Sequence, residues 1–349
     1  MKTEHLLVIR FSAMGDVAMT VPMIYALAKQ YPHLRITVLS RPFAKPLFEH
    51  LPSNVGFMEA DIRNEYHGVK GLNALYRRLT AKNFTAVADL HNVIRSNYLR
   101  MRFNVDKVKT AHIQKHRQEK RQLTANEHKV LRPLPTMFEN YARVFAELGY
   151  PVTQEFTSLL TPEEANLRLL CDEIGEKKNF QQWIGIAPFA AHPTKTYPLE
   201  EMEIVISQLV LRHPSCRIFL FGGGDRERKL INDAITRHPQ CINTSDLLHG
   251  LNEELILMSH LDVMVTMDSA NMHLASLVNT PVVSIWGATS PLAGFMGWNQ
   301  SLDNALHTDI YCRPCSIYGK KPCQRGDLAC LTHITPHTIV EKVEQVLEQ

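Results

Sequence analysis

The chain alternates short apolar, β-branched runs with helix-length segments, and it begins that alternation twice. Runs at 6–11, 35–39, 55–58 and 85–90 are separated by helix-like stretches at 17–30 and 70–82, the first carrying Val17, Val21, Ile24, Leu27 and Ala28 at helical spacing. After a further helix at 137–148 and a linker-like stretch around 175–182, a second series opens with a strand at 184–187 and a helix at 199–212. It continues with a strand at 217–221, the glycines Gly222, Gly223 and Gly224, helices at 226–237 and 253–260, a strand at 263–266 and a helix at 272–278. Continuous apolar strands are buried on both faces, and joining them in parallel takes helical crossovers. The pattern predicts two α/β domains, each an open parallel sheet between helices, facing one another across a cleft. At 349 residues the chain also exceeds one ordinary core.

Ligands of such sheets bind at the carboxyl ends of the strands, so the turns there carry the functional signal. Between the strand at 263–266 and its helix lie Asp268, Ser269 and Asn271. Small polar residues before a helix leave outward N–H groups with partial positive charge, a seat for phosphate; Asp268 or Ser269 capping the helix, with His273 a core histidine, satisfies the same residues. Two other turns favour the ligand reading. Gly15-Asp16 follows the first strand, and Lys195 follows the strand at 184–187 in a stretch, 188–198, without acidic residues. A lysine there supplies a mobile point charge to a diphosphate. Gly222 to Gly224 lacks dinucleotide-fingerprint spacing, and reads as a close backbone approach to a base or ribose.

A net charge of only +3 gives the whole molecule no nucleic-acid signal. The start runs straight into a strand without a signal-peptide core, and no apolar run is long enough to cross a bilayer, so the expected location is cytoplasmic. One segment is strongly basic: 107–132 holds eleven Lys, Arg and His residues against Glu119 and Glu127. It reads as a solvated helix face or as a patch for an acidic acceptor or an anionic membrane surface; with no interleaved aromatics it does not read as a nucleic-acid site. Cys312, Cys315, Cys323 and Cys330 suit a structural four-cysteine zinc site, although the six-residue spacing of the second pair leaves free thiols or labile disulfides open.

Three separated stretches in order, 7–17 with Gly15-Asp16, Lys195 before Tyr197-Pro198, and 268–275 with Pro281 and Trp286 to Pro291, resemble glycosyltransferase family 9, the lipopolysaccharide heptosyltransferases. The resemblance spans nearly the whole chain. It implies a GT-B fold of two Rossmann-like domains, here 1–175 for the acceptor and 176–335 for the nucleotide sugar, with a helix at 336–349 packing back on the first domain. It further implies inverting transfer of a heptose from an ADP-sugar to an acidic core-lipopolysaccharide acceptor, with peripheral contact at the inner membrane and no cofactor or metal required. On the matching positions Asp16 is the catalytic base. Lys195, Asp268, Ser269, Ala270 and His273 hold the donor, and Glu227 contacts its ribose. The acidic acceptor assigns Lys115, Arg117, Lys120 and Arg121 to acceptor binding. This chain departs from the family in having Ser269-Ala270 where relatives carry Thr-Gly, and Ala190 and Ala191 where they carry hydroxyls. A catalytically silent nucleotide-sugar binding protein or an epimerase of similar architecture is the competing reading, and Asp16 with the basic segment speaks against it.

The chemistry of the residues is coherent with transfer. A base must deprotonate the acceptor hydroxyl as it attacks the anomeric carbon, and Asp16 is suited to that. The leaving diphosphate gains charge as its bond breaks, so a lysine and helix N–H groups stabilise the transition state more than the ground state.

Overall fold

A computed structural model of the chain describes residues 4–349. The elements run β1 (His5–Ile9), α1 (Met14–Ala18), α2 (Val21–Gln30), β2 (Arg35–Ser40), β3 (Val55–Glu59), α3 (Gly68–Thr80), β4 (Ala86–Asp89), α4 (Ile94–Val105) and β5 (Lys109–His112). Then come α5 (Arg117–Leu123), α6 (Met137–Glu147), β6 (Trp183–Ala187), α7 (Leu199–Arg212), β7 (Arg217–Leu220), α8 (Gly224–Ile235), β8 (Cys241–Asn243) and α9 (Thr244–Leu247). The series ends with α10 (Leu251–Ser259), β9 (Val263–Met267), α11 (Ala270–Leu277), β10 (Val282–Ile285), β11 (Ala305–Leu306), α12 (Ala329–Thr332) and α13 (Pro336–Leu347).

Two compact units result. The first runs up to Lys115 and includes Pro135–Leu159; the second comprises His116–Leu134 and Leu160–Gln349. Each is built on an all-parallel sheet, with strand order β3-β2-β1-β4-β5 in the first and β11-β10-β9-β6-β7-β8 in the second. Continuous apolar strands explain this, since β1, β6 and β9 are buried along their whole length. In both sheets the order reverses direction beside the first strand, between β1 and β4 and between β6 and β9. Such a switch point opens a crevice at the carboxyl edge.

Three expectations are corrected here. The helix expected over 17–30 is two helices, because Pro22 has no N–H to continue α1; the chain restarts at Val21 with proline in its first turn, and the Thr20 hydroxyl donates to the Val17 carbonyl at 2.7 Å. The helix expected at 336–349 to pack on the first domain is packed into the second unit: Ile339, Val340, Val343 and Val346 join Val205, Ile206, Val265 and Ile285 in one core. The boundary expected at 175 is also displaced. Residues 116–134 leave the first unit and join the second, where the Leu134 N–H donates to the Leu292 carbonyl at 2.8 Å.

Candidate functional site

Lys195 and Asp268 stand on either side of the switch point of the second sheet, one following β6 and the other following β9. Lys195 ends a short turn, Pro193–Lys195, and its Nζ lies 2.9 Å from Asp268 Oδ2. The same oxygen accepts the Thr289 hydroxyl at 2.8 Å. Asp268 therefore holds a cation in place and does not cap α11. Ser269 is the N-cap residue of that helix, yet its hydroxyl lies 3.1 Å from that of Thr266 and makes no cap hydrogen bond. With no side-chain cap on α11, the N–H groups of its first turn keep the positive end of the helix available to an anion. Ala270 opens α11 and His273 is buried on its next turn.

The aliphatic part of Lys195 runs against Gly319. A Cβ at that glycine would stand 2.5 Å from Lys195 Cδ and 2.6 Å from its Cγ, and the backbone φ of +74° is one that only glycine adopts without strain. Thr194 fastens the same approach by donating from its hydroxyl to the Gly319 carbonyl at 2.6 Å. Glu227 lies after β7, the next strand along. Its Oε2 accepts the Gly223 N–H at 2.8 Å, and nothing comes within 4 Å of the Cβ positions at Gly223 and Gly224, which leaves that turn open. The residues that the resemblance assigns to the donor, Lys195, Asp268, Ser269, Ala270, His273 and Glu227, thus follow three neighbouring strands, β9, β6 and β7.

In the first unit Asp16 sits in the first turn of α1, just past the end of β1. Its Oδ2 accepts the Ala13 N–H at 3.2 Å and meets Arg10 Nη2 at 2.7 Å. Arg10 is buried, and its Nη1 donates to the Leu90 carbonyl at 2.6 Å beyond β4, so the guanidinium bridges the two strands of the switch point. The Tyr141 hydroxyl on α6 donates to the Asp16 carbonyl at 3.2 Å. His91 packs at the same strand ends. Burial first, then the Arg10 guanidinium, push its pKa down to about 3, so its ring is neutral at ordinary pH. Sequence reasoning missed Arg10, His91, Thr289 and Gly319. Arg10 alone carried a local signal, as a cation at the end of an apolar strand.

The basic segment resolves into β5, α5 and a loop. Lys115 ends the chain's first stretch in unit one, whereas Arg117, Lys120 and Arg121 belong to the second. The expectation that the segment shares a unit with Asp16 therefore fails beyond Lys115. Part of its charge is committed: Lys129 Nζ donates to the carbonyls of Cys312 at 2.8 Å and Pro314 at 3.0 Å, and Lys120 Nζ lies 4.9 Å from the Phe295 ring centroid. Arg117 and Arg121 are exposed.

Cys312, Cys315, Cys323 and Cys330 are free thiols that line one cavity with Thr194, Arg313 and Ala329. Among the described residues no group of three or more His, Cys, Asp or Glu side chains is gathered closely enough to hold a metal ion. Burial, with the neighbouring thiols, pushes Cys330 up to about 11. Burial also raises Cys323, but the backbone N–H groups of Leu328, Gly326 and Arg325 outweigh it and leave its pKa below the ordinary value. The loop braces the Lys195 turn: the Cys315 N–H donates to the Ala288 carbonyl at 3.0 Å, and the Ala288 N–H to the Thr194 carbonyl at 3.0 Å.

Known proteins share this fold and part of this sequence. Over 302 residues the chain is 24% identical to lipooligosaccharide heptosyltransferase 2 of Haemophilus influenzae, covering 82% of this chain and 84% of that protein. The crystal structure of a family 9 glycosyltransferase from Veillonella parvula aligns with a TM-score of 0.73 at 19% identity, covering 100% of this chain and 98% of that one. The E. coli heptosyltransferase WaaC with ADP aligns at 0.66 and 17% identity, covering 98% and 99%. These matches show the GT-B heptosyltransferase fold. The model of glycosyltransferase family 9 (heptosyltransferase) matches residues 72–323, a span that holds Lys195, Glu227 and the Asp268 turn, and the chain belongs to that family.

Proposed function

We propose that the chain is an inverting heptosyltransferase that moves a heptose from an ADP-heptose donor to an acidic lipopolysaccharide-core acceptor. The observation that carries the reading is the Lys195–Asp268 pair at the switch point beside α11, whose N-terminus no side chain caps. A cation at 2.9 Å from a buried carboxylate, next to unclaimed helix dipole, is a preorganised seat for a diphosphate that gains charge as it leaves. Proteins of the same fold and family support the donor identity, WaaC having been seen with ADP.

In this reading Lys195 and the first-turn N–H groups of α11 take up the developing charge, with Ser269, Ala270 and His273 shaping the turn and Glu227 holding the ribose. Asp16 accepts the proton of the acceptor hydroxyl. Its other carboxylate contact, Arg10, fixes the orientation of the group. Lys115, Arg117, Lys120 and Arg121 supply positive charge toward the acidic acceptor. Lysine and helix dipole perform the work that a divalent cation does in other nucleotide-sugar enzymes, so transfer needs no metal or other cofactor; a rate unaffected by EDTA is the expected result.

The reading is tested with a panel of nucleotide sugars and thermal unfolding. A ligand present at 100 times its Kd stabilises the folded state by about 2.7 kcal/mol, so ADP-heptose and ADP should raise Tm while UDP- and GDP-sugars leave it unmoved. A shift with UDP-sugars and none with ADP-heptose would reject the donor assignment.

A further inference from the structure

Helices α3 and α4 cover one face of the first sheet and turn an outer surface to solvent that no step of transfer uses. Together they carry Lys70, Arg77, Arg78, Arg95, Arg100 and Arg102 and not one carboxylate. Arg100 points inward to Asp89 at 3.6 Å, whereas Lys70, Arg77, Arg78 and Arg95 are exposed, Arg78 donating to the Tyr66 hydroxyl at 2.8 Å. Large apolar side chains stand among these cations. Ile94 is 87% exposed, Val105 72%, Val69 63% and Met101 52%.

The apolar groups form a stripe. Positions 94, 98, 101 and 105 fall on one side of a helix, so Ile94, Tyr98, Met101 and Val105 line the outside of α4 while Leu99 and Phe103 are buried in the core beneath it. Asn73 of α3 ties the two helices together, its Oδ1 accepting the Tyr98 hydroxyl at 2.7 Å and Arg102 Nη1 at 2.7 Å. Val69 is one turn before Asn73 and Arg77 one turn after it, which extends the stripe and its charges onto α3. Single exposed aliphatic residues are ordinary; a continuous stripe on a helix that already buries another face marks a contact surface.

We propose that the outer face of α3 and α4 docks this enzyme on an anionic lipid bilayer. Charge decides for lipid: the two helices carry cations and no carboxylate of their own, the capping Asp106 at the end of α4 being engaged by the Tyr76 hydroxyl, and aliphatic tips stand between the cations, which matches phosphate headgroups above acyl chains. The side chains of Ile94, Met101, Val105 and Val69 enter the acyl boundary, and Lys70, Arg77 and Arg95 meet the headgroups. Crossover helices of a parallel sheet start at the carboxyl edge of the strands, so the Val69 and Ile94 ends of these helices lie at the edge of the unit that carries Asp16. That the edge then meets a lipid-linked acceptor rests on the transferase reading; the docking itself does not.

The full chain is tested by flotation with phosphatidylethanolamine vesicles containing phosphatidylglycerol, against phosphatidylcholine vesicles. Wild type should bind only the anionic vesicles and release as salt rises. Lys70→Gln/Arg77→Gln/Arg95→Gln should lower partitioning roughly 100-fold, at about fivefold per cation, and flatten the salt response. Ile94→Ser/Met101→Ser/Val105→Ser should lower it at least about tenfold while keeping a salt response. Lys115→Gln/Arg117→Gln/Lys120→Gln/Arg121→Gln should bind as wild type. No binding by wild type, binding by both surface variants equal to that of wild type, or loss confined to the quadruple variant would overturn the proposal. Transfer from ADP-heptose to a delipidated, water-soluble core acceptor separates the two readings: both surface variants should match wild type there. Vesicle binding through α3 and α4 by a chain that transfers nothing would uphold the docking and remove the transferase.

Discussion

Each unit places a carboxylate and a cation at the switch point of its sheet, and the two pairs are built in opposite senses. In the first, the cation is the anchor: the Arg10 side chain is 9% exposed and tied to the Leu90 carbonyl, while Asp16 is presented at 28%. In the second, the carboxylate is the anchor, Asp268 at 8% held also by Thr289, and Lys195 at 14% is the group on the mobile stem. One fold plan thus presents a carboxylate at one site and a positive charge at the other, according to which partner the local packing immobilises. An ion pair of this kind is weak evidence for stability, since desolvation offsets much of its attraction, so two such pairs placed at the switch-point strand ends point to chemistry.

The largest effect should come from the presented group of the first pair. Asp16→Asn keeps shape and loses proton affinity, so kcat should fall roughly 100- to 10,000-fold with donor Kd nearly unchanged. Transfer within a few-fold of wild type would make the first pair structural and end the comparison. Lys195→Ala should slow transfer roughly 100-fold and weaken ADP binding as well, because its partner is present in both ground and transition states. Calorimetric ADP affinity equal to wild type would show an ordinary lysine.

Gly319→Ala sharpens the second half of the comparison without touching a charge. The new methyl would meet the Lys195 stem at 2.5 Å, so ADP affinity should drop by roughly tenfold, less than on removing the lysine. Unaltered affinity would show that Lys195 tolerates displacement. The smallest effect concerns the first pair and pH. His91, held neutral by burial and Arg10, binds its proton in the unfolded chain near the ordinary pKa of 6.5 but in the folded one only at about 3. Stability should therefore be full above pH 6.5 and be lost as pH falls toward 3, by about 1 to 2 kcal/mol at pH 5 from this group alone. His91→Gln should flatten that slope in urea titrations; an identical slope would assign the acid sensitivity elsewhere.

Much of this arrangement was legible because its signals are local. A strand, a small-residue turn and a helix announce themselves within a dozen positions, which is why Asp16, Lys195 and the 268–273 turn stand out in the sequence as candidates. What escaped was set by distant chain. Arg10 meets Asp16 at short range, yet its anchor at Leu90 comes from another strand, and Gly319 reaches Lys195 from far along the sequence. Helix α4 was passed over because it is apolar on two sides, with Leu99 and Phe103 inward and Ile94, Met101 and Val105 outward, so no single stripe stands out. The spacing of Ile339, Val343 and Val346 foretold a packed face on α13 but not which sheet it meets. The basic segment read as one patch, while long-range contacts of Lys129 and Lys120 divide it and fix most of it in the second unit.

The central claim is that base and phosphate seat are separate devices, and paired binding and transfer measurements on one variant test it most directly. Asp16→Asn is titrated with ADP-heptose by calorimetry and assayed for heptose addition to core acceptor by mass spectrometry. The account predicts donor affinity within a few-fold of wild type and no heptosylated product on the timescale of wild-type turnover. Product formed at a near-normal rate, or donor affinity lost along with transfer, would contradict it.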